Sequence, residues 1–446
     1  MFRWAGTALV VGLAATAGPA MPAWAQGTTQ RVSVGATGAQ GNGFSDDPAL
    51  SADGRFVAFQ SDASNLVPGD TNDEVDIFVR DRRADTTRRV SISSSARQSH
   101  GYNYDPTISP DGRFVAFASR AGDLVPGDTN GEADVFVRDR KLGTTARASV
   151  GSAGVQGNDL SSAPALSADG RFVAFLSIAS NLVPDDTNGM GDVFVRDRKL
   201  GTTRRVSVST GGVQGNGNSY FPVLSADGRF VVFQSDASNL VRGDTNRTND
   251  VFVRDRRAGT TELVSISSAG VQGNESSSAP VISADGRFVA FSSRATNLVP
   301  DVSDGARTAR EPPGNRSNVF IRDRQKGTTR RISVSSAGAP GDDNSTTPAI
   351  SADGRFVAFL SDASNLVPGD TNGVNDVFVR DRRTGTTRRV SVSSAGAQGN
   401  DYSDHPALSA DGRRVAFQSG ANNLVPGDTN GTSDVFIRTP ARGRAH

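Results

Sequence analysis

Six loops in the sequence combine carboxylate and amide side chains at spacings that suit a calcium ion. In the pattern Gly-Asp-Thr-Asn-Gly-x-x-Asp, side-chain oxygens stand at positions 1, 3 and 7 counted from the first aspartate. Calcium takes about six to eight oxygen ligands, so backbone carbonyls and water would have to complete each site. The alternative is a plain hairpin loop in which Asn-Gly turns the chain and the aspartates cap backbone N–H groups. The candidate metal ligands are Asp70, Asn72, Asp76, Asp128, Asn130, Asp134, Asp186, Asn188, Asp192, Asp244, Asn246, Asp250, Asp370, Asn372, Asp376, Asp428, Asn430 and Asp434.

A second set of candidate residues is aromatic. All four tyrosines lie in loops that lead to a repeated proline, and Phe44 shares the register of two of them, four residues before that proline. An exposed aromatic patch with aspartates at its rim suits a glycan or an extended peptide. The alternative is that these rings only fill the interior. The candidate ligand-binding residues are Phe44, Tyr102, Tyr104, Tyr220, Tyr402 and His405.

Local motifs for catalysis are absent from the sequence. It contains no Gly-x-Ser-x-Gly, no His-Glu-x-x-His, no phosphate loop and no cysteine, so no catalytic residue is predicted. The two internal histidines are His100 and His405. A carboxylate-based glycosidase or lyase remains chemically possible, because aspartates share the loops of the tyrosines. The aspartates in these loops are Asp46, Asp47, Asp105 and Asp404.

A repeat positions all of these residues. The stretch Ser-Ala-Asp-Gly-Arg-Phe-Val-Ala-Phe begins at Ser51 and returns, with small changes, at Ser109, Ser167, Ser225, Ser283, Ser351 and Ser409. Successive starts lie 58 residues apart, except for one interval of 68. A fixed period of this length indicates a repeat architecture.

Each repeat predicts four short antiparallel strands. In the third unit, 164–167, 171–177, 192–196 and 202–209 are strands, and the second has an apolar run that indicates burial on both faces. Seven such units predict an all-β, seven-bladed β-propeller spanning 26–439 as one domain. The seventh unit lacks its fourth strand, and a matching segment at about 30–35 precedes the first unit. This N-terminal strand is expected to complete the seventh blade and close the ring.

The repeat resembles that of a known family. Pro-x-x-Ser-x-Asp-Gly-Arg-x-Val-Ala-Phe, followed by Asp-Val-Phe-Val-Arg-Asp and Gly-Thr-Thr-Arg-Arg-Val-Ser, is similar to the WD40-like propeller repeat of TolB type. The resemblance covers residues 30–438. It implies a bacterial periplasmic or secreted propeller that binds other proteins. The chain differs from TolB in lacking a separate N-terminal α/β domain, which puts a role in the Tol-Pal envelope system in doubt.

The first 25 residues predict a secretory signal peptide. Arg3 precedes a short apolar run, and Ala23-Trp24-Ala25 forms a cleavage site, so we expect export to the periplasm or the medium. The last residues, 440–446, are expected to form a disordered tail. The chain has 48 basic and 47 acidic residues, and removal of the signal peptide takes away Arg3, which makes the two numbers equal. Balanced charge argues against nucleic acid as a partner, and no segment predicts a membrane span. We expect a monomer.

Loop lengths predict one blunt rim and one elaborated rim. The tight turns Ala-Asp-Gly and Arg-Arg-x-Gly-Thr share one rim, while the long loops share the other, where function is expected. The charged residues Arg80, Asp81, Arg82, Arg88 and Arg89 predict a solvated belt of ion pairs. The fifth unit carries ten extra residues between 301 and 316, either as a partner contact or as drift in a surface loop.

The sequence therefore favours a non-catalytic propeller that acts as a scaffold for an exported or envelope protein, or for a glycan. Near-identical units are the reason for this expectation. One alternative is a propeller stabilised by calcium in the Asp-Thr-Asn-Gly loops. The other is a hydrolase or lyase directed at a polysaccharide or a peptide.

Overall fold

The computed structural model describes residues 27–300 and 316–441. This part of the chain contains 28 strands and no helix, and hence no helix that could cross a membrane. The predicted signal peptide, nearly all of the 301–316 insertion and residues 442–446 of the predicted tail lie outside the described residues.

The strands form seven four-stranded antiparallel sheets, which confirms the seven-bladed propeller. Blades 1 to 6 take four consecutive strands each, and blade 7 takes the last three strands together with the first. The strands are β1 (Thr28–Arg31); β2 (Ser45–Leu50), β3 (Phe56–Ser61), β4 (Asp76–Asp81), β5 (Thr86–Arg89); β6 (Asn103–Ile108), β7 (Phe114–Ser119), β8 (Asp134–Asp139), β9 (Thr144–Arg147); β10 (Ser161–Leu166), β11 (Phe172–Ser177), β12 (Asp192–Asp197), β13 (Thr202–Arg205); β14 (Ser219–Leu224), β15 (Phe230–Ser235), β16 (Asp250–Asp255), β17 (Thr260–Leu263); β18 (Ser277–Ile282), β19 (Phe288–Ser293), β20 (Asn318–Asp323), β21 (Thr328–Arg331); β22 (Ser345–Ile350), β23 (Phe356–Ser361), β24 (Asp376–Asp381), β25 (Thr386–Arg389); β26 (Ser403–Leu408), β27 (Val415–Ser419) and β28 (Asp434–Thr439).

The first strand of each blade is its inner strand. These inner strands contact one another around a complete ring, and β2 of blade 1 contacts β26 of blade 7. Closure comes from β1, which pairs antiparallel with β28, as predicted. The closing strand ends earlier than the predicted segment. After Val32 donates its backbone N–H to Val435 O, the chain turns back and Val34 bridges Gln40.

The hydrophobic core lies between the blades. Phe59 of β3 stacks on Phe78 of β4 with ring centroids 5.9 Å apart, and the same pair recurs in every blade. Each cluster joins two neighbouring blades: Ala58 and Ile77 of blade 1 pack with Val115 and Phe117 of blade 2. Because both faces of each sheet are covered by neighbours, the apolar runs do not alternate with polar residues.

Arginines join the blades, in contrast to the solvated belt that was predicted. Arg138 is 8% exposed, and its guanidinium donates to the carbonyl of Ser93 in the loop that precedes its blade. The equivalent arginine of each other blade, from Arg80 in blade 1 to Arg438 in blade 7, also donates to a backbone carbonyl in the loop that precedes its own blade. A partly buried bidentate pair, Arg113 with Asp139, ties β7 to the end of β8. The belt prediction was wrong for Arg80 and Asp81, which the packed blades bury, whereas Arg88 is exposed as predicted.

The blunt rim carries a ring of backbone hydrogen bonds. The N–H of Ala410 donates to Ala52 O, that of Ala52 donates to Pro110 O, and Ala168, Ala226, Ala284 and Ala352 continue the series. Pro110 has no N–H, so it cannot donate to the next turn. Six of the seven possible bonds are therefore present, and they hold the turns together around the axis.

We expect the closing strand to be essential for stability. A chain that begins after Val32 loses the pairing of β1 with β28 and the burial of Val32, which is 1% exposed. Each lost backbone hydrogen bond contributes about 1 kcal/mol, and burial of the valine about 1.5 kcal/mol or more. Urea denaturation should show a loss of several kcal/mol, and size-exclusion chromatography should show association through the opened edge. An unchanged midpoint would contradict the role of closure.

Candidate functional site

The inner strands carry a ring of seven equivalent β-bulges. In each blade the register between the inner strand and its neighbour shifts at a residue with left-handed backbone, directly before the repeated proline. Their φ angles lie between 43° and 53°. Bulges redirect side chains and often occur beside active sites. The seven residues are Asp47, Asp105, Ala163, Phe221, Ala279, Thr347 and His405.

Neighbouring blades hold the bulges in place. Asp47 N–H donates to Oε1 of Gln418 at 3.2 Å, and Asp105 N–H donates to Oε1 of Gln60 at 3.1 Å. Each glutamine belongs to the preceding blade, so the seam between two blades fixes the backbone of the bulge. A non-glycine residue in the left-handed region costs about 1–3 kcal/mol, and such conformations persist where the surrounding structure enforces them.

Three consecutive blades place ionisable side chains at this ring. Blades 7, 1 and 2 contribute His405, Asp47 and Asp105, whereas blades 3 to 6 contribute alanine, phenylalanine, alanine and threonine. Asp46 and Asp404 stand one residue before their bulges. We call the group of Asp46, Asp47, Asp105, Asp404 and His405 the acid–histidine cluster.

His405 joins the two sides of the closing seam. Its Nε2 lies 3.4 Å from Oδ1 of Asp47 in blade 1, and its Nδ1 lies 3.3 Å from Oδ1 of Asp404 in blade 7. Asp105 accepts a hydrogen bond from the backbone N–H of Ala163 at 3.2 Å. The imidazole is about half exposed, so this cluster is accessible from the channel mouth.

Burial and neighbouring charges raise the pKa values of several members of the cluster. Burial, followed by the charge of Asp47, raises the pKa of Asp46 to about 7. Burial, followed by the charge of Asp47, also raises the pKa of Asp105 to about 6. The hydrogen bond to Asp404, followed by the charge of Asp47, raises the pKa of His405 to about 9. Ionisable groups whose pKa values are shifted by burial and by neighbouring charges occur often at functional sites.

Two tyrosines of blade 2 border the cluster. The rings of Tyr102 and Tyr104 lie 5.6 Å apart, and Tyr102 is 40% exposed. Burial, followed by the charges of Asp46 and Asp47, raises the pKa of Tyr102, which places its hydroxyl in the field of the cluster. Burial, followed by the charge of Asp105, raises the pKa of Tyr104 to about 12.

The other predicted aromatic residues lie apart from this pair. Tyr220 packs against Phe221 in blade 4, with ring centroids 6.3 Å apart. Tyr402 lies against Gly420, and Phe44 is half-buried in blade 1. Phe221 was missed by sequence reasoning, although it is 57% exposed at a bulge. Its position before a repeated proline, shared with Asp47, Asp105 and His405, is the signal that could have identified it.

His100 lies outside the cluster. Its Nδ1 is 2.6 Å from Oδ2 of Asp123, and the side chain is largely exposed in a loop of blade 2. The two histidines that the sequence placed on the same rim therefore occupy different surroundings.

An arginine lies between the aspartates of the predicted calcium loops. In blade 1, Nη1 of Arg89 is 2.9 Å from Asp70 and 3.0 Å from Asp76, and Nε2 of Gln98 donates to both carboxylates. Asn72 donates to the carbonyl of Ser99. The same arginine bridge occurs in blades 2, 3, 6 and 7, formed by Arg147, Arg205, Arg389 and Arg31.

Blade 4 departs from this arrangement. Leu263 stands where the other blades have the arginine, and both aspartates remain. Gln272 donates to Asp244 and Asp250 at 2.7 and 2.8 Å, and Asn246 donates to Asp250 at 2.8 Å. Burial is the main cause that raises the pKa of both carboxyl groups.

No group of three or more His, Cys, Asp or Glu side chains is arranged to hold a metal ion within residues 27–300 and 316–441. Calcium therefore stays a prediction. In five of the loops, the arginine places a positive charge between the aspartates. The loop of blade 4 has no such arginine, so a metal ion bound there would not lie beside a guanidinium.

A pair of opposite substitutions tests the role of the bridging arginine. Arg147→Leu leaves the fully buried Asp134 without its cation, and we expect a loss of about 3–5 kcal/mol in the free energy of unfolding. Leu263→Arg supplies the missing cation in blade 4 and should raise the denaturation midpoint. If blade 4 binds calcium, the melting temperature should be higher in calcium than in EDTA, and Leu263→Arg should abolish that difference. Equal stability of Arg147→Leu and the unaltered chain would contradict the bridge.

Solved structures share this fold at low sequence identity. The chain is similar to an oligogalacturonate lyase in complex with manganese (TM-score 0.55, 13% identity, 93% of each chain covered). It is also similar to an acylaminoacyl peptidase from Pyrococcus horikoshii (TM-score 0.52, 12% identity), covering 90% of this chain and 52% of the peptidase. TolB from Acinetobacter baumannii matches with a TM-score of 0.41 and 16% identity over 77% of this chain and 62% of TolB. No protein-family description matches the sequence, and no curated protein matches it either.

These similarities correct the expectation of a non-catalytic scaffold. The propellers that match with a TM-score above 0.5 include a lyase and peptidases, so regular blades are no argument against catalysis. The expectation was wrong to take near-identical units as a sign against catalysis, because the residues at the bulges differ between blades even where the rest of the repeat does not. The chain is a seven-bladed β-propeller that shares its fold with enzymes, and the TolB-like repeat motif accompanies this fold.

Proposed function

We propose that the acid–histidine cluster is the active site of a hydrolase that cleaves glycosidic bonds in neutral or amino-bearing glycans. One observation carries the proposal: three consecutive blades bring four carboxyl groups and an imidazole together at the channel mouth, on strained bulges, beside two tyrosines. Glycoside hydrolysis requires two carboxyl groups, one protonated and one ionised.

Asp46 is assigned as the general acid. With a pKa of about 7, its carboxyl group retains a proton in a large fraction of molecules near neutral pH. Its Oδ1 is buried and has no hydrogen-bond partner within the described residues, so burial favours the protonated, uncharged form of this carboxyl group. General acids are efficient when their pKa lies close to the working pH.

Asp105 is assigned as the base that activates water. Its pKa of about 6 leaves it mainly ionised at neutral pH, and the N–H of Ala163 orients Oδ2. Asp46 and Asp105 belong to neighbouring blades, so a sugar at the seam can contact both. His405 and Asp404 act as positioning residues, because the imidazolium holds Asp47 and lowers the pKa of Asp46 and Asp105 by its charge.

Charge and aromatic surface define the class of substrate. Four carboxyl groups face one imidazole, so the cluster disfavours polyanionic chains, and the oligogalacturonate for which the similar lyase is named is not expected to suit this site. The exposed ring of Tyr102 beside Tyr104 offers an apolar face for a sugar. Export by the predicted signal peptide would bring the enzyme into contact with polysaccharides in the periplasm or the medium.

Isosteric substitutions test the two assigned roles. We expect Asp46→Asn and Asp105→Asn each to lower kcat by about 10²- to 10⁴-fold, because each removes a proton-transfer group. Release of reducing ends should be measured on neutral, amino-bearing and uronate polysaccharides. The control is Ser278→Asn, which alters the position equivalent to Asp46 in blade 5. The proposal fails if the unaltered chain cleaves none of these substrates, or if Asp46→Asn retains full activity.

The pH profile gives an independent test. Activity should be highest between about pH 6 and pH 7, where Asp105 is ionised and Asp46 retains its proton. His405→Asn removes a positive charge that lowers both values, so both limbs of the profile should move to higher pH. A movement to lower pH would contradict the assignment.

The same substitution has a defined effect on stability. The folded-state pKa of His405, about 9, lies above its ordinary value of 6.5, so the imidazolium stabilises the fold fully below pH 6.5. That stabilisation is lost as the pH rises through about 9. The difference in denaturation midpoint between the unaltered chain and His405→Asn should therefore be large at pH 6 and small at pH 10. A difference that does not change with pH would show that the imidazole carries no charge in the folded protein.

A further inference from the structure

Near the blunt rim, five seams contain an arginine from one blade stacked on a phenylalanine of the preceding blade. In the seam between blades 1 and 2, the guanidinium of Arg140 lies 4.6 Å from the ring centroid of Phe56. The other four distances lie between 4.3 and 5.0 Å. These four pairs are Arg198 with Phe114, Arg256 with Phe172, Arg324 with Phe230, and Arg382 with Phe288.

Each stack of an arginine on a phenylalanine has two further contacts, one made by the arginine and one made by the phenylalanine. Nη1 of the arginine donates to the carbonyl of the turn glycine in its own blade, as Arg198 does to Gly170 at 2.7 Å. The other face of the phenylalanine is covered by the arginine that precedes it, as Arg113 covers Phe114 at 4.6 Å. The ring therefore lies between two guanidinium groups, and the arrangement recurs in five seams.

Within the part of the chain that the structure describes, no second arginine stacks on the phenylalanine of the seam between blades 6 and 7. Arg382 directly follows the last residue of β24, and the equivalent residue after β28 is Pro440. Phe356 has Arg355 on one side at 4.6 Å, but proline cannot supply a cation to the other side. The seam between blades 7 and 1 differs again, because Arg414 replaces the phenylalanine there.

A pocket occupies this seam and has an equivalent of similar size in the neighbouring seam. In the seam between blades 5 and 6, the equivalent pocket has Phe288, Asp323, Thr328 and Arg330 in its walls, together with the inserted Arg382. At the seam between blades 6 and 7, the corresponding wall residues are Phe356, Asp381, Thr386 and Arg388. The two pockets thus share their walls and differ in the guanidinium.

We propose that the pocket between blades 6 and 7 binds the guanidinium group of an arginine residue on a partner polypeptide. The ring of Phe356 offers the same surface on which Arg382 stacks over Phe288 in the neighbouring seam, and Asp381, which is already paired with Arg355, adds a negative charge to the pocket wall. A planar guanidinium stacks on an aromatic ring over its whole face, whereas an ammonium is a compact, strongly hydrated charge. The pocket therefore selects arginine over lysine. This inference is independent of the proposed hydrolase.

Binding of a small arginine probe to the whole chain tests the proposal. The probe is N-acetyl-arginine methylamide, with the lysine analogue as its matched control, and binding is followed by NMR titration. We expect one weak site, in the millimolar range, with about tenfold weaker binding of the lysine analogue. Pro440→Arg should abolish binding, because it supplies the guanidinium from within the chain. Arg382→Ala should open a second copy of the pocket and raise the number of sites from one to two.

Several results would overturn the proposal. These are the absence of binding to the unaltered chain, binding that persists in Pro440→Arg, and equal binding of the arginine and lysine probes. If Pro440→Arg does not fold, Phe356→Leu replaces it and should weaken binding by removing the ring. A chain ending at Ala441 that binds the probe, while the full chain does not, would assign the pocket to the chain's own Arg442 or Arg444 and refute a partner.

Discussion

The pairing of the first strand with the last is the constraint on which the rest of the structure depends. Because Thr28–Arg31 adds to β28, blade 7 is complete and stands beside blade 1. The acid–histidine cluster exists only across that junction: His405 and Asp404 come from blade 7, and Asp47 comes from blade 1. An open array of the same seven units would keep these residues at opposite ends of the molecule.

Charged groups, rather than disulfides, cross-link the blades. Arg138 donates to the carbonyl of the loop that precedes its blade, Arg140 covers Phe56 of the preceding blade, and Arg89 joins two buried aspartates within its own blade. A buried ion is expensive unless it is paired and hydrogen-bonded, and these guanidiniums have such partners. Buried pairing within and between blades thus accounts for much of the charge that the sequence suggested was solvated.

Repetition and chemistry occupy separate positions in this protein. The glycine turn, the paired phenylalanines and the arginine links recur from blade to blade and hold the ring. The bulge residues instead vary, and ionisable groups occur only in blades 7, 1 and 2. This division is compatible with the proposed hydrolase, whose assigned residues lie at positions that differ between blades. A single changed repeat position, Pro440, likewise makes one seam differ from the five in which an arginine stacks on the phenylalanine of the preceding blade.

The sequence by itself determined the number of blades, the four strands in each, and the closure, because a 58-residue period and a displaced fourth strand are visible in one dimension. It placed the tyrosines in loops, whereas Tyr104 and Tyr220 lie in the inner strands β6 and β14, as His405 lies in β26. It could not place His405 beside Asp47, since they lie in the last and the first blade and meet only when the ring closes. Nor could it tell that Arg89 lies between Asp70 and Asp76, because strand register decides which side chains fill a loop. Burial and the neighbouring charges that shift pKa values arise only when the blades pack, so the tertiary structure alone decided the electrostatics of the site.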